Sequence, residues 1–319
     1  MKKLLTGLTA LTLLSAACGN NASVDLGEND FTPPTEVERG KANAGPFEQR
    51  LLSARSSDGI HWTRDNTIIS EQGNACDMLI RDDGSIYLYY VAGNVLGESE
   101  VIAAAVSEDD GASWTFKKVT VSGVTGNHPP LGDPDIAMLE DGTYRLYFTS
   151  QLNDDKGPGI YYAEGTDGLN FDYQGLAFTY NEDDHVSWDS SAFYVDGHWA
   201  MLTFDNFGSK MIHASSDDGG ESYTFVKVED VTHNGEPYFL SNPFTLPDGS
   251  VRFWAFQLGS GKSVISFVTE DGLTWEDEGI EYLTYEDGAN ELEGYYIKDP
   301  VVVQLEDGSY FMVYVTRAP

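Results

Sequence analysis

The chain has 319 residues, of which 52 are acidic and only 18 are Lys or Arg, so its formal charge is −34 at pH 7. A surface this acidic repels polyanions, which excludes nucleic acid as a partner and disfavours direct docking to an acidic membrane. Hydrophobic residues make up 41% of the chain, enough for a sizeable core.

The first residues have the pattern of an export signal. Two lysines follow Met1, and the apolar run from Leu4 to Leu14 is too short to span a membrane as a mature helix. The run ends in LSAACG, which resembles the lipobox of bacterial lipoproteins. That resemblance implies a signal peptide over 1–17, a lipid on Cys18 and an exported protein anchored to the bacterial cell envelope, at the outer membrane or cell surface. Cleavage by an ordinary signal peptidase, with Cys18 incidental, is the alternative.

The segment after the signal is expected to be a spacer. Residues 18–46 are rich in Asn, Gly, Pro and acids and lack an apolar period, which predicts a flexible acidic tether. With Cys18 acylated, Cys76 is the remaining thiol, so burial and hydrogen bonds must hold the fold. Residues 47–319 are long enough for one all-β domain. We expect a monomer that contacts the membrane only through the lipid at Cys18.

A repeat of about fifty residues runs through this domain. Its Asp-Gly turns lie 58, 55, 52 and 59 residues apart, and each precedes a strand rich in aromatic and β-branched residues. The turns are Asp83-Gly84, Asp141-Gly142, Asp196-Gly197, Asp248-Gly249 and Asp307-Gly308. Four short strands in such a period are typical of a β-propeller blade. Five turns predict an all-β, five-bladed propeller.

A second repeated segment, which we call the box, has the pattern of SEDDGASWTF at Ser107. Its aspartate can accept N–H groups of its own turn, and its glycine permits a positive φ. This predicts structural roles for Asp58, Asp109, Asp167, Asp217 and Asp271. The first box precedes the first Asp-Gly turn and no box follows the last one. The N-terminal strands are therefore expected to complete the final blade.

Acidic residues recur where the innermost strand of each blade should begin, facing a shared funnel. The residues predicted there are Asp77, Asp133, Asp135, Asp189, Asn242 and Asp299. A second polar tier lies about six residues earlier: Glu71, Asn127, Asp183, Glu236 and Glu293, with His128 and His185 beside it. Trp188 can offer an aromatic platform for a sugar, or it can be a core residue.

Such a cluster of acids has the chemistry that glycosidic bond cleavage needs. One carboxyl group must be protonated to donate to the leaving oxygen, and another must be ionised to activate water or attack carbon. Burial and mutual repulsion separate two such pKa values. Alternatively, the acids only solvate the channel or hold a structural Ca²⁺ there, since hard cations prefer oxygen ligands. No other cofactor is expected.

The box resembles the Asp-box of sialidase-type propellers, and the five units with Asp-Pro strand openings resemble the catalytic propellers of glycoside hydrolase families 43 and 32. The family 43 resemblance implies an Asp base in the first blade, an Asp that tunes pKa in the second and a Glu acid in the third. Asp77 and Asp133 match the first two. The third blade opens SWDSSAF and has no such Glu, which leaves the acid open among Asp189, His185, Glu236 and Glu293.

This resemblance implies a cell-surface glycoside hydrolase that acts on a neutral or pentose-containing oligosaccharide or polysaccharide, with inversion at the axial carboxylates. The missing third-blade Glu keeps a second interpretation open. In that interpretation the chain is a glycan-binding surface lipoprotein of the same fold that does not cut its ligand.

Overall fold

A computed structural model of the chain describes residues 29–41, 45–126, 128–152, 157–182, 185–205, 210–257, 263–285, 291–294 and 296–319. The expected signal peptide and the lipidation residue Cys18 lie outside the described residues. Asn127 and Asp183 of the second polar tier also lie outside them. Within the described ranges, no helix has the length and apolar character needed to cross a membrane.

Five sheets form the domain, one for each Asp-Gly turn, and their strands are antiparallel except where β8 pairs in parallel with β12. The innermost strands are β4 (Gly73–Ile80), β9 (Gly132–Met138), β13 (Ser187–Val195), β18 (Glu236–Thr245) and β23 (Lys298–Gln304). The second strands are β5 (Ile86–Val95), β10 (Tyr144–Ser150), β14 (His198–Asp205), β19 (Val251–Phe256) and β24 (Tyr310–Arg317). The third strands are β6 (Glu98–Ser107), β11 (Gly159–Gly165), β15 (Met211–Ser216), β20 (Ser263–Thr269) and β2 (Gln49–Ser56).

The outer strands are shorter and less regular. They are β7 (Thr115–Lys118), β12 (Asn170–Phe178), β16 (Thr224–Glu229), β21 (Glu276–Asp277) with β22 (Leu283–Thr284), and β3 (Thr63–Glu71). Three further strands extend individual sheets: β1 (Asp30–Phe31) pairs with β7, β8 (Thr120–Ser122) with β12, and β17 (Val231–His233) with β18.

The innermost strands close into a ring. Each contacts the next in the order β4, β9, β13, β18, β23, and β23 contacts β4 again. The second strands supply the largest buried side chains between neighbouring sheets, among them Tyr89, Tyr147 and Trp254, which are at most 1% exposed. The prediction of a five-bladed β-propeller is therefore confirmed, and the aromatic strands after the Asp-Gly turns form its core.

The fifth sheet joins the two ends of the propeller. Strand β2 pairs with β24 from Gln49↔Arg317 to Ser56↔Tyr310, and β3 pairs with β2 on the outside. The last blade thus takes its two inner strands from the C-terminal part and its two outer strands from the N-terminal part, as the position of the first box predicted.

Part of the segment expected to be a flexible tether lies against the propeller. Strand β1 pairs Asp30 with Lys117 and Phe31 with Phe116, and the Phe31 side chain is buried in the core beside β7. Farther along, the Glu38 N–H donates to the Phe47 carbonyl oxygen at 2.8 Å. The described residues of the expected tether thus contact β7 of the first blade and the segment that leads into β2.

The box segments form hydrogen-bonded turns at the end of each third strand. In the first box, Asp58 Oδ1 accepts the N–H groups of Ile60 and His61 at 2.9 and 2.8 Å. Asp109, Asp167 and Asp271 act in the same way. The expectation for Asp217 was wrong, because the acceptor in the fourth box is Asp218, two residues after the Ser216 hydroxyl to which it is bonded.

The box glycines fit these turns against the preceding blade. Gly220 has a φ of 88°, and a Cβ there would lie 2.7 Å from the Tyr147 hydroxyl of the second blade. That hydroxyl donates to the Gly220 carbonyl oxygen at 2.7 Å. The close approach of backbone to ring requires glycine and docks the box of one blade onto its neighbour.

Candidate functional site

Each innermost strand contains a β-bulge near its start. The ladder shifts register between Asn74 and Cys76 in the first blade, between Trp188 and Ser190 in the third, and at corresponding places in the others. The residues with positive φ at these shifts are Ala75, Asp133, Asp189 and Asp299, with φ between 43° and 53°. Bulges redirect side chains, and aspartate tolerates this backbone region better than most residues. Three bulges therefore aim a carboxylate at the axis.

The bulges divide the axial residues into two layers. We call the residues in the bulges the axial layer: Ala75, Asp133, Asp189, Ser241 and Asp299. The residues that follow them form the ring layer: Asp77, Asp135, Ser191, Asn242 and Val301. Asp77 and Asp133, which were matched to the first two family roles, lie in different layers, because Asp77 is equivalent to Asp135. In the first blade the position equivalent to Asp133 is occupied by Ala75.

The ring layer links neighbouring blades. Asp77 Oδ2 accepts the Ile136 N–H, Asp135 Oδ2 accepts the Ala192 N–H, and Asn242 Oδ1 accepts the Val302 N–H, each at 2.8 Å. Two further contacts complete the circuit: the Ser191 hydroxyl donates to the Ser241 carbonyl oxygen, and Cys76 Sγ donates to the Asp299 carbonyl oxygen. Asp77, Asp135 and Asn242 are thus engaged in holding inner strands together.

A lysine from outside the axial layer accompanies its three carboxylates. Lys298 Nζ donates to Asp299 Oδ2 at 2.6 Å and to Asn74 Oδ1 at 2.5 Å. The Thr149 hydroxyl accepts the Asp189 N–H at 3.0 Å and is hydrogen-bonded to Asp133. Lys298 therefore places a positive charge beside this layer, and Thr149 joins Asp133 to Asp189.

Burial raises the pKa values of two axial carboxyl groups, Asp133 and Asp189. It raises the pKa of Asp133 to about 6, against a hydrogen bond from Thr149 and the charge of Lys298. Burial together with repulsion by Asp133 and Asp299 holds the pKa of Asp189 well above its ordinary value. Burial thus biases both carboxyl groups toward the protonated form, which is the form that the acid of an acid–base pair must have.

A narrow cavity lies on the axis among these residues. It is lined by Ala75, Asp77, Asp189, Ser241 and Asp299, and it offers about 10 Å³ to the centre of a water molecule. That is room for one water. Of the three axial acids, Asp189 and Asp299 line this cavity and can therefore reach a single small group in it.

Two of the predicted acid candidates lie apart from this cavity. Glu293 is buried in an ion pair, with Arg64 Nε 2.6 Å from its Oε1 and the Tyr314 hydroxyl donating to the same oxygen at 2.7 Å. Glu236 is exposed at the first residue of β18, about 20 Å along the strand from Asn242. The structure does not bring either carboxylate into the axial layer.

The predicted histidines and tryptophan take different positions. His185 Nδ1 lies 2.6 Å from Asp205 Oδ2 at the end of β14, and its ring stacks on Tyr180. His128 Nδ1 lies 2.7 Å from the Pro129 carbonyl oxygen, between the first and second blades. Trp188 is partly buried in β13 and pairs with Phe204. Trp188 directly precedes Asp189 in β13, and His185 lies two residues before that strand begins.

Lys298 and Thr149 were missed by the sequence reasoning. Lys298 could have been found from the sequence, because it directly precedes Asp299 and is one of few cationic residues in a very acidic chain. Thr149 could not, because it lies at the far end of a second strand and reaches the axis only through the fold.

The residues do not offer a metal site as they are placed. No group of three or more His, Cys, Asp or Glu side chains in the described ranges is arranged to hold a metal ion. Of the carboxylates in the axial layer, Asp133 is hydrogen-bonded to Thr149 and Asp299 to Lys298. We therefore assign no calcium ligands.

The raised pKa values predict that stability falls as the pH rises. Burial raises the pKa of Asp77 and Asp133 from 3.8 to about 6, so between these pH values the native state holds protons that the unfolded chain has lost. The resulting stabilisation is complete below pH 3.8 and is lost as the pH passes about 6. Urea unfolding should give a larger free energy at pH 5 than at pH 8. If 1 M NaCl abolished the difference, surface repulsion would be its cause instead.

A comparison of the sequence with known protein families gives a match to a glycoside hydrolase family. The model of the family described as Glycosyl hydrolases family 32 N-terminal domain matches residues 52–238, more than half of the chain. This match runs from β2 into the start of β18 and includes the inner strands of the first three blades. No curated protein matches the chain by sequence.

Several solved structures share the architecture at low sequence identity. A Dyadobacter fermentans protein of unknown function has a TM-score of 0.56 and 17% identity, covering 88% of this chain and 87% of its own. An α-L-arabinofuranosidase from Clostridium thermocellum has a TM-score of 0.54 and 14% identity, covering 75% and 80%. An arabinanase from Bacillus subtilis has a TM-score of 0.50 and 16% identity, covering 75% and 92%. At these identities the similarity shows the fold alone.

Proposed function

The chain belongs to the family of Glycosyl hydrolases family 32 N-terminal domains, and from this premise we propose that it hydrolyses glycosidic bonds at the axial layer. The observation that carries the proposal is the cluster of Asp133, Asp189 and Asp299 on three bulges around one axis. Buried carboxylates with separated pKa values are the groups that this reaction uses.

The geometry favours Asp189 as the general acid. Burial and its two acidic neighbours hold the pKa of Asp189 well above the ordinary value, which favours the protonated form that must donate to the leaving oxygen. Asp133 is the base that takes a proton from the water attacking the anomeric carbon. The ion pair with Lys298 fixes Asp299 beside them. Asp77 then has the supporting role that its backbone partners indicate, rather than the role of base.

We place the substrate among neutral or pentose-containing glycans, with inversion at the anomeric carbon. Two of the similar structures are an arabinofuranosidase and an arabinanase, which makes arabinose-containing glycans the first to test. The acidic surface supports a neutral ligand, because a polyanionic glycan would be repelled.

Glycan binding without cleavage is the second candidate, and one observation favours it. The first blade has Ala75 where the second, third and fifth blades carry an aspartate. An axial layer that lacks a first-blade carboxylate, above a cavity with room for one water, also fits a protein that holds a glycan end without cutting it.

Reducing-sugar release from arabinans, xylans, fructans and galactans by the full chain separates the two candidates. We expect release from at least one polymer by the native protein and not by Asp133→Asn. Retention of a polymer without release from any of them would reject hydrolysis and support binding.

The envelope location is a proposal from Met1 to Cys18 alone. We infer that Cys18 carries the lipid, so labelled palmitate should be incorporated by the native chain and not by Cys18→Ser. Equal labelling of both would reject the assignment.

A further inference from the structure

An open cleft lies at the opposite end of the propeller from the axial layer. It occupies about 770 Å³ between the second and third blades. Tyr194, which lines it, comes five residues after Asp189 in β13, about 16 Å along the strand. We call it the lower cleft, and it is a surface that the axial chemistry does not use.

The walls of the lower cleft expose aromatic and apolar side chains. Tyr194 is 54% exposed and Met138 is 43% exposed. Tyr194 pairs across the hairpin with Trp199, and their rings meet edge to face with centroids 6.0 Å apart. Exposed apolar side chains that line one concave surface together are a feature of ligand-binding sites.

Polar groups surround these rings. Glu140, His198 and Asp217 line the same cleft. Asp217 was expected to hold the box turn, but Asp218 does so, which leaves the Asp217 carboxylate exposed at the cleft. Aromatic faces for C–H surfaces, flanked by carboxylates and an imidazole for hydroxyl groups, match the two kinds of surface that a sugar ring presents.

The third-blade hairpin accounts for the shape of the cleft. Val195 pairs directly with His198, so the turn has only the two residues Asp196 and Gly197. In the first blade Ile80 pairs with Ile86 across a five-residue turn, 81–85. The corresponding cleft there, between the fifth and first blades, has about 230 Å³, and the residues lining it are acidic or aliphatic, with no aromatic ring among them. Of these two clefts, the one beside the short turn is the larger, and aromatic rings line it.

We propose that the lower cleft is a second glycan-binding site, which takes one or two neutral sugar rings of a polymer whose end is processed at the axial layer. This inference rests on the proposed action on glycans. Stacking on Tyr194 and Trp199 supplies the affinity, and the surrounding carboxylates and His198 orient the hydroxyl groups. The site would hold the protein on its polymer between cleavage events.

The test is affinity electrophoresis of the full chain through gels containing arabinan, xylan, fructan or galactan, with hydrolysis of soluble oligosaccharides of the same sugars measured in parallel. Tyr194→Ala and Trp199→Ala should each weaken retention about tenfold, since an aromatic face buried on binding contributes free energy of that order. Hydrolysis of short oligosaccharides should remain unchanged. Tyr194→Phe should retain binding, and Ile60→Ala, an exposed apolar truncation in a different blade, should have no effect.

The outcomes separate this proposal from the proposed function. Hydrolysis by the native chain together with unchanged retention of Tyr194→Ala would overturn the lower cleft as a site and leave the hydrolase standing. Retention that depends on Tyr194 without hydrolysis would support the cleft and reject the hydrolase. A native chain that neither binds nor cleaves any of the polymers would overturn both.

Discussion

Replacing Asp189 by Asn should lower the turnover of the cleaved glycan by about 10²- to 10⁴-fold, the range that removal of a general acid produces. The amide cannot donate a proton to the leaving oxygen, whereas the fold should be retained. Asp189 has a φ of 53°, and Asn adopts this backbone region as readily as Asp. The measurement is kcat on the polymer or oligosaccharide that the native chain cleaves, together with its pH profile.

A matched control lies in the same hairpin. Asp196 also has positive φ, at 47°, but it lies in the exposed turn, so Asp196→Asn should keep the native kcat. The alkaline limb of the native pH profile should disappear in Asp189→Asn, because that limb reports loss of the acidic proton. If Asp189→Asn retained more than a tenth of native activity, Asp189 would not be the acid and His185 would be the next candidate.

The five-bladed architecture could be predicted from the sequence because each blade repeats the same short sequence pattern. An Asp-Gly turn followed by an aromatic strand is a short-range signal, and five such signals give five blades without any knowledge of distant contacts. The pairing of β2 with β24, which closes the ring, could also be predicted. The box at Ser56 has none of the five Asp-Gly turns before it, so its strand must belong to the last blade.

The layers of the site were harder to predict. Asp77 and Asp135 lie seven residues before their turn glycines, and Asp133 and Asp299 lie nine before theirs. A difference of two residues keeps a side chain on the same face of a strand, so alternation alone assigns all four to the axis. Their separation depends on bulges, and a bulge is an extra residue that the hydrophobic pattern does not reveal.

Two other misassignments have similar physical origins. In the fourth box two aspartates stand side by side, and only the distance from the Ser216 hydroxyl decides that Asp218 closes the turn. Glu293 was taken for a candidate acid, but its partner Arg64 comes 229 residues earlier in the chain. Contacts of that separation exist only because the first and last strands share a blade.

That distant ion pair carries the second large prediction: Arg64→Met should lower the free energy of unfolding by about 3–5 kcal/mol. The Glu293 side chain is fully buried, and Arg64 meets it through two nitrogens, at 2.6 and 3.1 Å. Removing the guanidinium leaves a buried carboxylate with the Tyr314 hydroxyl as its remaining donor among these contacts. Urea unfolding measures the loss. Lys210→Met, which removes the exposed pair with Asp230, should cost less than about 1 kcal/mol.

The double variant Arg64→Met with Glu293→Gln shows whether the loss of stability in Arg64→Met comes from the unpaired charge or from lost packing. If an uncompensated buried charge causes the loss, neutralising Glu293 should restore part of the stability that Arg64→Met removes. Glu293→Gln alone should keep the native kcat at a temperature where it is folded, because its carboxylate joins β3 to the loop before β23 and does not face the axial layer. A large fall in kcat with native stability would instead make Glu293 the acid. Full additivity of the two substitutions would show that the pair contributes through packing, and that closure of the ring depends on strand pairing between β2 and β24 rather than on this contact.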